Sequence, residues 1–350
     1  MAAIDVIVAP ELTPDVVGGL ELHFLEAVVT RQTAPVLLIY ASPGRHICVG
    51  RYHLYAGPAE RGEINAFRRL TGGRVVGGGQ GWLGIALVLP TRNSLLNEEA
   101  SARLAPDQVM NRYVRGLLAG LRSMRLNCFY PGRDAITYEQ REIAMCSYEI
   151  DASGAMLFEA TLALNRGMEE VVHDLERIDP DGALACPMYG PESATKVVRE
   201  LDRDIGFGEV ADAIAAGYGF LLGGSRRREL TAMEIAQGDH RGRALENSRW
   251  LNRLVANPSQ MHKNRIASQL GAIEAAVELN GDRTIASAMV TGDYIANSPA
   301  VAELENELRG KRLDLPSISQ AVTTTFGHRG NFILGVGELS NLVRLVAGVN

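Results

Sequence analysis

RRLTGGRVVGGGQGWLG, residues 68 to 84, places two adjacent arginines and seven glycines within seventeen positions. Glycine loses more backbone freedom on folding than any other residue, so this density marks a place where bare backbone must approach something closely. A Walker phosphate loop needs a lysine followed by Ser or Thr after its last glycine, and none is present. A dinucleotide-type G-x-G-x-x-G turn must open a helix, whereas the residues after Gly81 read as a strand. Two readings remain. The stretch wraps a ligand, with Arg68 or Arg69 neutralising an anion and residues 83 to 89 forming a pocket wall, or it is a glycine-rich loop with surface arginines.

Outward from this stretch, PVLLIY (35 to 40), HICVG (46 to 50), GWLGIALVLP (81 to 90) and AMLFEATLALN (155 to 165) are apolar runs of strand length. Val109, Tyr113, Val114, Leu117 and Leu121 follow the spacing of an amphipathic helix beginning near Pro106. Strands clustered between single long helices predict an α+β fold with a mixed or antiparallel sheet and flanking helices. A polar, arginine-rich stretch from about Gly238 to Asn264 interrupts the pattern and predicts a domain junction. Residues 1–240 are expected to form one domain, 241–264 a linker and 265–350 a small αβ domain. In the last of these, Asn280-Gly281 predicts a type I′ hairpin turn, and Ser298 as N-cap, Pro299 in the first turn and Gly310 as the stop predict a helix.

The chain of 350 residues is acidic, with a formal net charge of −6, which argues against nucleic acid as a partner. No run approaches the length of a membrane span, and the N-terminus lacks the basic start and apolar stretch of a signal peptide, so a cytoplasmic protein is expected. Cys48, Cys128, Cys146 and Cys186 have no C-x-x-C spacing and the histidines are scattered, so neither a disulfide framework nor a metal site is indicated. His23, His46, His53 and His173 read as packing or surface residues.

The order of segments resembles the catalytic domain of the lipoate-protein ligase and octanoyltransferase family. Arg68, Arg69, Thr71, Gly72 and Gly73 stand where that family has Arg-Arg-x-Ser/Thr-Gly-Gly, and VGRYH (49 to 53) looks like its Val-Gly-Arg-x-Gln. RWLNRLVANPSQ (249 to 260) and GAIEAAVELNGD…VTGDYI…LENELRG are similar to the linker and the accessory domain of the ligases. The resemblance implies the class II biotinyl/lipoyl synthetase-like fold. It implies ATP and Mg2+ as cofactors, lipoate or octanoate as the small carboxylic acid ligand, and a lipoyl carrier domain as protein partner. Arg68, Arg69, Thr71, Gly72, Gly73, Arg74 and Asp134 would line the ligand or adenylate site.

The resemblance fails at the catalytic lysine. Aligning GRDAITYEQREIAMCSY (132 to 148) puts Arg141 on the preceding basic position and Glu142 on the lysine itself, where a carboxylate repels the charge that must be stabilised. Arg74 also replaces a glycine, and Gly78 a histidine. Three substitutes for the lysine are open: Arg141 or Arg74 turned into the site, Lys196 reaching in, or a thioester route through Cys186 with Lys196 lowering its pKa. Against the last stands the ordinary reading of Cys186 as a small buried thiol, and Cys146 is the second thiol to consider. The function expected is a divergent ligase that activates or transfers a lipoyl or octanoyl group. The alternatives are a catalytically impaired homologue that binds the ligand or carrier, or a cysteine-dependent transferase. Arg226, Arg227 and Arg228 are the candidate basic patch for an acidic carrier domain.

Overall fold

The computed structural model describes residues 4–55, 60–94, 104–178, 192–253 and 261–349. At its centre is a seven-stranded mixed sheet, in spatial order Ser225–Arg227, Ile4–Ala9, Val36–Tyr40, Trp82–Leu89, Met156–Ala163, Arg141–Ile150 and Ala135–Tyr138. Ile4–Ala9 runs parallel to both neighbours and the remaining pairs are antiparallel, as the α+β reading requires. The central strands are buried on both faces, which explains why they read as continuous apolar runs.

One face packs against the helices Pro106–Ser123 and Phe207–Leu221, with Ile85, Leu87 and Phe158 meeting Tyr113, Leu117 and Tyr218. The other face packs against the helix Pro14–Val29 through Leu20, Phe24 and Val28. The helix Ala232–Leu245 lies outside that one. The stretch expected to be a linker from 241 thus holds the end of this helix, the short helix Ser248–Asn252 and the start of strand His262–Ala267.

A second, four-stranded sheet is formed by Glu60–Arg61, Ile64–Arg68, Arg45–Val49 and Val76–Gly79. The opening stretch is therefore only partly a loop. Arg68 ends one strand, and Val76–Gly79 is another, paired antiparallel with Arg45–Val49. A Cβ on Gly77 would lie 2.5 Å from the Trp82 ring and one on Gly78 would lie 2.2 Å from the His46 ring. The glycine run leaves space that two aromatic rings fill.

The C-terminal residues build a separate core around the sheet His262–Ala267, Ala272–Leu279 and Ile285–Gly292 and the helices Ser298–Leu308, Leu315–Phe326 and Leu339–Ala347. The hairpin is present, but its turn is not type I′. Arg283, not Gly281, takes the left-handed conformation (φ 63°), with Arg283 N–H donating to Asn280 O and Asn280 N–H to Thr284 O. The helix from Ser298 has Asn297 as its N-cap rather than Ser298, because the Ser298 N–H donates to Glu149 of the large sheet at 2.7 Å.

Candidate ligand site

A part-open cavity lies between the helix Pro14–Val29, the large sheet and the glycine stretch. The cavity has a volume of about 70 Å³. Arg68, Arg69, Arg74, Asp134, Cys146, Glu21 and Glu159 are among the residues that line it. Gly84, opposite Tyr40 in the sheet, leaves space for the tyrosine ring at its wall.

The three arginines of the glycine stretch are engaged by the protein itself. Arg68, 5% exposed, donates to the carbonyls of Gly50, Arg51, His53, Trp250 and Leu251, at 2.6–3.0 Å. Burial lowers its pKa to about 9, and carbonyl dipoles surround the charge in place of water. Arg69 donates to Thr71 Oγ1 and to the carbonyls of Cys48, Gly72 and Arg74. Both guanidinium groups thus organise the loop.

Arg74, 1% exposed, forms a fork to Asp134 at 2.8 and 2.9 Å and two further bonds to Glu142, at 3.0 and 3.3 Å. Glu142 is thus held by Arg74. Burial raises the Glu142 carboxyl above its usual range, and Arg74 opposes that shift. One arginine is shared by two carboxylates here, and Arg133 is a further cation acting on Glu142.

Other candidates lie elsewhere. Arg141 pairs with Glu139 and Glu200 at 3.2 and 3.1 Å, and it is not among the residues lining the cavity. Lys196 immediately precedes the short helix Val197–Leu201 and is likewise not a lining residue. Cys186 lies outside the described residues. Cys146 lines the cavity, but burial raises its pKa far into the range where the thiol, not the thiolate, persists. Thr71 donates from its hydroxyl to Glu159. The Gly73 N–H donates to the Tyr294 carbonyl at 2.7 Å, and a Cβ on Gly72 would stand 2.3 Å from that oxygen. The paired glycines are where the C-terminal module rests on the loop.

Arg226 and Arg228 are paired with Asp5, Arg228 also with Glu234, and Arg227 with Asp212. The expected basic patch is largely compensated within the chain. Sequence reasoning missed Glu21, Tyr40 and Glu159. For Glu159 the signal was a carboxylate inside the apolar run AMLFEATLALN, whereas Glu21 on a helix gave no sign of burial.

No family model matches the sequence, and no match was found among curated proteins. Solved structures do match. The crystal structure of P. falciparum LipL1 in complex with lipoate has a TM-score of 0.68 at 11% identity, covering 99% of this chain and 100% of that one. A lipoate-protein ligase A bound with ATP matches with a TM-score of 0.56 at 16% identity, covering 73% of this chain and all of its own. A bipartite lipoate protein ligase from Thermoplasma acidophilum, described with its E2 lipoyl domain, matches with a TM-score of 0.55 at 16% identity, covering 72% of this chain and 98% of that one. The class defined is that of the lipoate-protein ligase fold. The likeness to LipL1 runs through almost the whole chain.

Proposed function

We propose that this chain is a lipoate-ligase-like protein that holds a lipoyl- or octanoyl-like acyl ligand in the cavity without activating it. The observation that carries this reading is the Arg74–Asp134–Glu142 arrangement. Adenylation needs an uncompensated positive group where charge develops on the carboxyl and α-phosphate. Here that corner holds one guanidinium spent on two carboxylates, and Arg68 and Arg69 are spent on protein acceptors. These residues do not fit ATP and Mg2+ used as a ligase uses them.

The ligand part of the reading is supported by the fold shared with a lipoate-bound protein and by the presence of a part-open cavity beside the glycine stretch. The likeness to a ligase described with its E2 lipoyl domain favours a second reading, in which the partner is a carrier domain presenting its acylated lysine. An amide-linked acyl group needs no cation at the mouth, so the two readings share one cavity. Calorimetric titration with lipoate and octanoate, with intact-mass analysis after incubation with ATP, tests the proposal. Binding with no mass increase is expected, and an acyl adduct would overturn it.

A further inference from the structure

The cavity carries a feature that an apolar acyl chain does not need. Glu21, on the helix Pro14–Val29, is 2% exposed and Glu159, on the strand Met156–Ala163, is 8% exposed, and both line the cavity. The two carboxyl groups meet closely enough to share a proton, and burial together with Glu159 holds Glu21 well above the usual carboxylate range. Glu159 is fixed from its other side by the Thr71 hydroxyl. Among the described residues, no N–H or hydroxyl donates to the buried Glu21 Oε1. An orphaned buried carboxyl oxygen costs free energy unless a ligand or water completes it.

The surroundings select what can complete it. Arg69 is the cation that acts on Glu21, and its guanidinium already serves Thr71 and three carbonyls. Burial pushes His46 down to about 3 and the Cys48 thiol up to about 12, and raises Tyr40 well above its ordinary value, so all three lining groups are neutral. What faces the cavity here is a pair of acids beside Arg69, whose N–H groups are taken up by protein acceptors, among otherwise neutral side chains. It attracts an N–H donor or a cation and repels a carboxylate.

We infer that the Glu21–Glu159 pair is a subsite for a nitrogen-bearing group, an amine or an amide-type N–H, at the end of the acyl ligand remote from its carboxyl. This rests on the reading of the cavity as an acyl-ligand site and narrows the ligand to acyl chains with a polar nitrogen terminus. A protonated amine would pair with the dyad's negative charge, and an amide N–H would donate to Glu21 Oε1.

The test compares 8-aminooctanoate, octanoate and lipoate by calorimetry on the full chain. The three share a carboxylate and differ at the far end. The expected result is that 8-aminooctanoate binds at least tenfold more tightly than octanoate, and that Glu21→Gln, which keeps the shape and removes the charge, erases the preference. The comparison on the unaltered chain needs no variant to fold. Binding of octanoate or lipoate equal to or tighter than that of 8-aminooctanoate would overturn this inference and leave the acyl-ligand reading standing. Binding of none of the three would overturn both.

Discussion

Arg68, Arg69 and Arg74 lie within seven residues of one another and are alike in chemistry, yet their partners differ. Arg68 ties together the turn at Gly50–His53 and the carbonyls of Trp250 and Leu251, segments far apart in the chain. Removing it strands several buried carbonyls, each worth on the order of 1 kcal/mol or more. Arg68→Ala is therefore expected to lower stability by about 3 kcal/mol or more in urea denaturation. A loss below about 1 kcal/mol, with ligand binding abolished, would instead make it a ligand residue. The sequence marked these arginines as important and the stretch as a close approach of backbone. Which guanidinium faces a ligand was not legible, because that depends on carbonyls nearly two hundred residues away. The pairing of Glu142 with Arg74 was not legible, since the two meet only when the two sheets pack.

The helices Pro14–Val29 and Ala232–Leu245 approach through glycine. A Cβ on Gly19 would stand 2.0 Å from the Gly238 carbonyl, and one on Gly242 would stand 2.5 Å from the Asp15 carbonyl. Backbone-to-backbone contact of this kind has no flexible side chain to give way. Gly19→Ala is expected to cost about 1–3 kcal/mol by overpacking, read by thermal or urea unfolding. Because the same helix carries Glu21, weakened ligand binding should accompany it; an unchanged stability would contradict the observed packing. The periodicity of Pro106–Ser123 and the apolar runs of the central strands were readable because each buries a continuous face. The helix Ala232–Leu245 was not, since its closest contact is made by glycines and its large apolar residues Met233 and Ile235 are exposed. The hairpin turn was misread for a related reason: Asn-Gly favours two left-handed residues, but Thr284 accepts from Asn280 and bonds to Asp282, which lengthens the connection and places Arg283 in that conformation.

Across the whole molecule, two motifs that look separate in the sequence meet in space. Within VGRYH, Tyr52 stacks on Tyr294 at 4.5 Å and His53 lies 2.8 Å from Asp293, both partners belonging to the GDY turn of the C-terminal module. Glu149 of the large sheet completes the junction, accepting from Tyr52 and from the N-terminus of the helix Ser298–Leu308. Burial raises its pKa from 4.5 to about 7. A raised carboxyl pKa means the folded state prefers the protonated form, so its contribution is complete below pH 4.5 and is lost as pH rises through about 7. Glu149→Gln is expected to flatten the fall in stability between pH 5 and 8, leaving the variant more stable than the parent at pH 8 by on the order of 2 kcal/mol. Unfolding curves with parallel pH profiles would contradict this assignment. The order of motifs conveyed the architecture at this scale, while the junction itself, built from residues some 240 apart, was beyond sequence reading.

On the function proposed above, the lipoate-protein ligase fold is kept here while the activating charge is cancelled at Arg74, Asp134 and Glu142. ATP–pyrophosphate exchange in the presence of lipoate or octanoate, measured for the parent chain and for Glu142→Lys, tests it most directly. No exchange is expected from the parent chain, and measurable exchange is expected once the lysine is present. Exchange by the parent chain that Glu142→Lys leaves unchanged or lowers would contradict it.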